Sequence, residues 1–314
     1  MTTGVLVMAY GTPASPDDVE AYYTHIRRGR PPTEEQLADL IRRYDALGGI
    51  SPLAQRTRAQ VAAIDSALAE LAPGEYVTAL GQKHAAPFVE DGVAELAAAG
   101  VDRVVGLVLA PHYSAGSVAQ YHSRAAEAAA EHGVAFIGID SWHLVDELIA
   151  FQAAAVAEAL AELPDRTKVV FTAHSLPERI LVDDPYPDQL RESAEATARA
   201  AGLAQWAGWG LGWQSAGRTP EPWRGPDILE VVRDLADTGR ADGILVVPQG
   251  FTSDHLEVLY DLDVEAAAVA AEVGLAFART RVVNDDAAVM GAVARVVADA
   301  AAGTVDRTGP PDRR

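Results

Sequence analysis

Short, uninterrupted runs of aliphatic residues recur along the whole chain. Val, Leu and Ile dominate these runs, and apolar and polar positions do not alternate within them. Such a run, bounded by turn residues, is typical of a parallel strand that is covered on both faces of its sheet. The pattern predicts eight strands: Gly4–Tyr10, Tyr76–Gly81, Arg103–Ala110, Val134–Ile139, Lys168–Ala173, Gln205–Gly212, Gly243–Pro248 and Leu275–Ala278.

Ala-rich segments with helical periodicity separate the predicted strands. Clear examples are Phe88–Ala99, Ser117–Glu131 and Asp188–Ala201. Strands that alternate with helices build βαβ units, so we expect an α/β protein with doubly wound parallel sheets. A longer helical stretch, Leu144–Leu163, follows the fourth strand and divides the pattern into two similar halves.

The two halves predict two Rossmann-like domains with an active-site cleft between them. We place the N-terminal domain at residues 1–145 and the C-terminal domain at residues 146–303. The final segment, 304–314, is polar and contains two Pro residues, and we expect a disordered tail there. Ligands of such sheets bind beyond the carboxyl ends of the strands, so the chemistry should lie at those ends.

Charge and cysteine content narrow the classes of function. The 314 residues carry 25 basic and 45 acidic side chains, and the net charge of −20 disfavours binding to nucleic acid or an anionic membrane. The chain has no Cys, which excludes disulfides, thiolate zinc sites and Cys-ligated iron–sulfur clusters. No apolar run reaches about 18 residues, and no basic segment typical of a signal peptide precedes the first strand. These features predict a cytoplasmic protein without a membrane span.

Three acidic residues after the seventh predicted strand are spaced four residues apart. Glu257, Asp261 and Glu265 would lie on one stripe of a helix, where like charges repel one another unless a cation compensates. A solvated acidic face is the simpler alternative in so acidic a chain. Carboxylates with an imidazole suit a divalent metal of the iron, manganese or magnesium type, and His174, at the end of the fifth strand, could complete such a site. The His255–Glu257 pair is too common a pattern to count separately.

A local excess of arginine stands out against the acidic background. Residues 24–58 contain seven Arg and four acidic residues, a local formal charge of +3, and include the segment HIRRGR. Arg binds carboxylates with two parallel hydrogen bonds, and charges beyond roughly 8 Å are screened by salt. Surface helix charges explain some of these arginines. Because no Walker phosphate-binding pattern occurs, a ligand with several carboxylates is favoured over a phosphate.

The motifs at the strand ends, taken together, resemble the ferrochelatase family, in particular the monofunctional branch from Gram-positive bacteria. The resemblance covers about Gly4 to Ala301, nearly the whole chain. The motifs that carry it are LVMAYGTP, YYTHIRRGRPP, RYDALGGISPLAQ, VLAPHYS, TAHSLPE, DPYPDQL, GWQSAGRTPEPWRGPDI and PQGFTSDHLEVLYDLD.

The resemblance implies a chelatase-like fold and a specific set of site residues. His174 corresponds to the metal-handling His of the family and Glu257 to its partner carboxylate, the two catalytic positions. Asp261 and Glu265 match the outer part of a carboxylate line that is thought to relay metal or protons, where Mg(II) is a further expectation. Tyr10 matches a residue that approaches the metal from the opposite porphyrin face. Positions that contact the macrocycle or its propionates correspond to Arg27, Arg43, Tyr44, Ser51 and Tyr121.

The implied reaction is insertion of Fe(II) into a porphyrin during heme biosynthesis. The stretch Ala14–Pro32 is hydrophilic and holds the HIRRGR cations, which favours coproporphyrin III, with four propionates, over protoporphyrin IX, with two. The product would then be coproheme. Protoporphyrin IX remains the alternative substrate. Another tetrapyrrole chelatase, such as one that inserts cobalt into a sirohydrochlorin-like ring, and a non-catalytic two-domain binder remain alternative functions.

The expected partners follow from this reaction. Fe(II) and the porphyrin are substrates, no resident cofactor is required, and the absence of Cys rules out the iron–sulfur cluster that some relatives carry. We expect a monomer that contacts the next enzyme of the pathway only transiently.

Overall fold

The computed structural model describes residues 2–205, 208–217 and 219–303, which form two four-stranded parallel sheets surrounded by helices. All eight predicted strands are present. Their bounds are β1 Thr3–Ala9, β2 Tyr76–Gln82, β3 Arg103–Val108, β4 Ala135–Ile139, β5 Thr167–His174, β6 Trp209–Gln214, β7 Gly243–Val247 and β8 Ala276–Arg279. The α/β class predicted from the sequence is confirmed.

Helices connect the strands throughout the described residues. Their bounds are α1 Val19–Ile26, α2 Glu34–Ala46, α3 Leu53–Leu71, α4 Val89–Ala98, α5 Val118–Glu131, α6 Asp146–Leu160, α7 Tyr186–Ala200, α8 Ile228–Asp237, α9 Leu256–Val258, α10 Ala267–Glu272 and α11 Ala287–Ala302. A short 3₁₀ turn, Pro16–Asp18, precedes α1, and a π-helical segment, Leu259–Ala266, joins α9 to α10. None of the helices in the described ranges is long and apolar enough to cross a bilayer.

The two sheets repeat the same strand order. The first sheet runs β2-β1-β3-β4 and the second β6-β5-β7-β8. In each sheet, the strand that comes first in the chain is second in the spatial order. The chain runs from it to the adjacent edge strand and then crosses over to the strand on its other side. The topological switch point therefore lies between β1 and β3 in the first sheet and between β5 and β7 in the second, where ligands bind in open α/β sheets.

Each sheet has its own apolar core, as continuous apolar strands require. In the first, Leu6 and Met8 of β1 are fully buried with residues of α4 and α5. In the second, Phe171 of β5 and Leu245 of β7 pack with α6 and α7. Burial at about 25 cal/mol per Å² of apolar surface stabilises both sheets and makes them rigid supports for the residues at their strand ends.

The chain divides into two compact units, but not where the sequence predicts. The first unit comprises residues up to Trp142 together with the chain from Asn284, and the second is His143–Val283. The predicted C-terminal domain, 146–303, therefore ends too late, because α11 belongs to the first unit. There α11 packs against α3, and the Gln60 amide donates to the Asn284 carbonyl at 2.9 Å. The predicted tail, 304–314, lies outside the described residues.

The sixth strand also differs from the prediction. The run Gln205–Gly212 predicts a strand that stops at Gly212, whereas β6 continues through Trp213 to Gln214. Gln214 is in register with His174 of β5. A polar residue ends this buried strand because its side chain bonds to another segment, which an apolar pattern cannot reveal.

Candidate functional site

His174 lies at the carboxyl end of β5, beside the switch point of the second sheet, and faces a carboxylate. Its Nε2 is 3.6 Å from Glu257 Oε1, and the two side chains are 36% and 35% exposed. Its Nδ1 donates to the Ser175 carbonyl at 2.5 Å, which fixes the ring and directs Nε2 towards Glu257. The structure thus brings together the two residues that the sequence assigns to the catalytic centre.

Glu257 reaches this position because the segment after β7 packs tightly onto β5. The Gly250 amide donates to the Thr172 carbonyl at 3.1 Å. A Cβ at Gly250 would lie 2.6 Å from the Ala173 Cβ, so only glycine fits there without movement. The chain then turns into α9, whose second residue is Glu257. The close approach of the two strand ends holds the carboxylate opposite the imidazole.

A second imidazole contacts the same carboxylate. His255 Nε2 is 3.5 Å from Glu257 Oε2, and its Nδ1 donates to the Ser253 carbonyl at 2.9 Å. Glu257 therefore lies between two rings, one at each oxygen. The sequence interpretation set His255 aside because an H-x-E pattern is common. The turn before α9 directs the side chains of His255 and Glu257 to the same side, and the sequence pattern does not reveal this turn.

The pKa values of His174 and Glu257 are shifted by their surroundings. Burial alone lowers the pKa of His174, but the negative charge and hydrogen bond of Glu257 outweigh it and raise this pKa to about 9. Burial alone raises the pKa of Glu257, but His174 and His255 hold it far below the usual range. At neutral pH the free site therefore contains an imidazolium beside a carboxylate. A divalent cation can replace the imidazolium proton between these two groups.

The separation of the pair suits a shared metal ion. Ligand atoms each about 2.1 Å from one ion, at a near-tetrahedral angle, are about 3.4 Å apart. The observed 3.6 Å between Nε2 and Oε1 needs little adjustment. Within the described ranges, no group of three or more His, Asp and Glu side chains converges closely enough to hold a metal ion. Among the described residues, the pair therefore supplies two metal ligands and not a complete coordination shell.

The outer carboxylates follow Glu257 along a π-helical segment rather than an ordinary α-helix. Asp261 is 7% exposed and accepts a hydrogen bond from the Ser215 hydroxyl, and Glu265 is half-buried. Asp263 faces elsewhere and pairs with Arg279 at 2.6 Å. π-Helical turns occur frequently at functional sites, because the i→i+5 bonding pattern redirects side chains. A metal role for Asp261 and Glu265 stays a prediction.

In the first unit, Tyr10 follows β1 and packs against His84, which in turn contacts His25. Tyr10 is 43% exposed, and its ring centroid lies 4.6 Å from that of His84. His84 Nδ1 lies 3.0 Å from His25 Nδ1. Burial, with the nearby charges of Lys83, His25 and Arg124, lowers the pKa of His84 to about 3, so this ring is neutral. The sequence motifs point to neither imidazole. His84 packs against the exposed phenol ring of Tyr10.

The predicted porphyrin-contacting residues differ in how accessible they are. Arg27 lies over the Tyr23 ring at 5.6 Å, and among the described residues no carboxylate pairs with it. Arg43 Nε is 3.3 Å from Asp39. The other three are nearly buried, and the relative exposures are Tyr44 3%, Ser51 4% and Tyr121 3%. Arg27 therefore offers a ligand more free charge than Arg43, and the buried three can present only small parts of their surfaces.

The chain is similar in sequence to proteins of one family. A family model described as Ferrochelatase matches residues 2–301. Coproporphyrin III ferrochelatase of Anoxybacillus flavithermus is 44% identical over 301 residues, which cover 94% of this chain and 95% of that protein. Coproporphyrin III ferrochelatase of Bacillus subtilis is 43% identical, over 94% of this chain and 96% of that protein.

Solved structures with the same fold are more distant in sequence. SirB from Bacillus subtilis with Fe3+ has a TM-score of 0.58 and 13% identity, and the match covers 97% of each chain. CbiX, described as the terminal enzyme for biosynthesis of siroheme in denitrifying bacteria, has a TM-score of 0.53 and 14% identity, over 96% of this chain and all of that one. At such identities the likeness concerns the fold alone.

Proposed function

The chain belongs to the ferrochelatase family, and from that premise we propose that it inserts Fe(II) into coproporphyrin III. The products are coproheme and two protons. The reaction is a metal insertion of the lyase class and belongs to heme biosynthesis. The observation that carries the proposal is the pair formed by His174 and Glu257, 3.6 Å apart at the switch point of the second sheet. Relatives that are 43–44% identical bear the name of this activity.

The pair supplies the metal and proton chemistry that insertion needs. Fe(II) displaces the proton of His174 and is held by a neutral imidazole and a carboxylate, a moderate ligand set from which it can leave. A porphyrin loses two N–H protons when iron enters its centre, so proton acceptors must lie beside the metal. Once iron has left for the porphyrin, the imidazole of His174, with its raised pKa, is free to accept one of these protons, and the other passes to solvent water. His255, on the second oxygen of Glu257, stabilises the charged carboxylate.

The cationic segment of the first unit supports the choice of porphyrin. Arg27 and its neighbours Arg28 and Arg30 provide charge for carboxylates, and no aliphatic stretch replaces them. A substrate with four propionates gains more from this segment than one with two. Arg27, Arg43, Tyr44, Ser51 and Tyr121 are the proposed porphyrin contacts, and Tyr10 is the proposed residue on the other porphyrin face.

Anaerobic Fe(II) insertion, measured with coproporphyrin III and protoporphyrin IX side by side, tests the proposal. We expect a higher kcat/KM with coproporphyrin III and a preference that shrinks as salt is raised, because screening weakens the Arg–propionate attraction. The variant Arg27→Gln, which lacks the guanidinium charge, should lose most of the preference for coproporphyrin III. Equal kcat/KM for the two porphyrins at every ionic strength would exclude coproporphyrin III as the preferred substrate.

Insertion of another metal into a different tetrapyrrole is the second candidate function. The fold shared with SirB and CbiX allows it but does not favour it. The same assay with Co(II) and a sirohydrochlorin-type ring discriminates between the two. We further propose that no resident cofactor is needed, that Mg(II) can bind at Asp261 and Glu265, and that the protein acts as a cytoplasmic monomer that meets the next enzyme of the pathway transiently.

A further inference from the structure

Gln214 is a buried residue that bonds, through its main chain and through its side-chain amide, to the two segments that carry the catalytic pair. Gln214 ends β6 beside His174 and is 1% exposed. The main-chain carbonyl of Gln214 accepts a hydrogen bond at 2.8 Å from the backbone amide of Ser175, the residue that follows His174. Its side-chain Nε2 donates to the Glu257 carbonyl at 2.9 Å. A single residue thus links the peptide next to the imidazole with the peptide that carries the carboxylate.

The neighbouring residue extends this link to the next turn of the acidic segment. The Ser215 hydroxyl donates to Asp261, four residues beyond Glu257. Ser215 adopts a φ of 60°, a left-handed conformation that is unusual for a residue with a side chain. The end of β6 therefore contacts the segment that bears Glu257 at two successive positions. These two contacts fix the position of the Glu257 segment along β5 and its rotation relative to that strand.

The side chain of Gln214 is poorly suited to a purely structural role. Its Oε1 is buried and, among the residues that the structure describes, has no hydrogen-bond partner. A buried unsatisfied oxygen costs stability, which an apolar side chain of equal size would avoid. Gln249, two residues beyond the end of β7, shows the contrast. It is 2% exposed, its Nε2 donates to the Leu190 carbonyl at 3.0 Å, and its Oε1 accepts from Ser193 at 3.1 Å.

We propose that Gln214 is a positioning residue that sets the separation of His174 and Glu257 and thereby the affinity of the pair for its metal ion. The inference rests on the proposed function, in which this pair handles the metal. A hydrogen bond that orients a metal ligand is worth roughly 10- to 100-fold in metal affinity. The Nε2–H bond to Glu257 acts in this way through the main chain of the ligand.

The substitution Gln214→Met tests the proposal, because Met has a similar volume and cannot donate. We expect the Kd for Co(II), measured by absorption titration without porphyrin, to rise about 10-fold. The KM for Fe(II) should rise similarly while kcat changes less. The midpoint of urea unfolding should change little, because removal of the unsatisfied oxygen offsets the loss of the donor to the Glu257 carbonyl. Gln214→Glu, which keeps the shape but places an oxygen against the Glu257 carbonyl, should weaken Co(II) binding as well and serves if Gln214→Met does not fold.

Gln249→Met is the matched control, since it also removes a buried amide at a strand end of the same unit. It should lower the midpoint of urea unfolding and leave the Co(II) affinity near that of the wild type. The proposal is overturned if the folded Gln214 variants keep wild-type Co(II) affinity, or if Gln249→Met weakens Co(II) binding equally. The Gln214 variants could lose Co(II) affinity while the wild-type protein inserts no iron. That result would contradict the proposed function and leave this inference intact.

Discussion

Replacing His174 by Ala is expected to lower the rate of Fe(II) insertion by about 10²- to 10⁴-fold with Fe(II) non-limiting. The variant loses the imidazole nitrogen that lies beside Glu257 Oε1, and with it the proposed metal ligand and proton acceptor. The loss should appear in kcat as well as in the KM for Fe(II). Anaerobic stopped-flow measurement of porphyrin absorbance, with coproporphyrin III as substrate, gives both constants.

His132→Ala provides the control for this substitution. His132 is exposed at the end of α5, and we expect its removal to leave insertion unchanged. Far-ultraviolet circular dichroism should show that both variants are folded. If His174→Ala inserted iron at the normal rate under these conditions, the assignment of the catalytic imidazole would be wrong.

Metal affinity is expected to rise steeply with pH below pH 9. The pKa of His174 is about 9, so at neutral pH a metal ion must displace a proton from the imidazole. The association constant for Co(II) should therefore increase about tenfold per pH unit between pH 6 and 8. Titrations at fixed ionic strength give this slope. Calorimetry in buffers of different ionisation enthalpy should report about one proton released per ion near pH 7.

The substitution Glu257→Gln should remove this dependence. Without the carboxylate charge, the largest contribution that raises the pKa of His174 is lost, whereas burial continues to lower this pKa. The variant should bind Co(II) more weakly than the wild type, because a ligand is lost, but with a nearly flat affinity above about pH 7. A wild-type affinity that is already flat between pH 7 and 8 would contradict the imidazolium–carboxylate pair.

Most of the fold could be predicted because parallel strands that are covered on both faces leave a strong signal. Each of the eight apolar runs overlaps a strand, and the helical segments after the second, third and fifth strands appear as α4, α5 and α7. The destination of α11 could not be predicted. Its apolar face, which includes Val293 and Val297, fits a sheet or helix of either unit equally well from the pattern alone.

Part of the geometry of the candidate site could be predicted from the sequence, and the rest could not, for physical reasons. Strand-end position and the family resemblance single out His174 and Glu257, which the structure places 3.6 Å apart. His255 was set aside because its relation to Glu257 depends on the turn before α9 rather than on spacing. The amino-acid composition of the π-helical segment does not distinguish it from an α-helix. The sequence therefore predicts an α-helical stripe of carboxylates that includes Asp261. The role of Gln214 depends on a bond between segments that lie 43 residues apart in the chain.

The central claim is that one metal ion is held between His174 and Glu257, and anomalous diffraction from crystals soaked with Co(II) tests it most directly. We expect an anomalous peak about 2.0–2.2 Å from both His174 Nε2 and Glu257 Oε1. That peak should vanish in His174→Ala crystals soaked in the same way. A Co(II) peak at other side chains, with none between these two, would contradict the account.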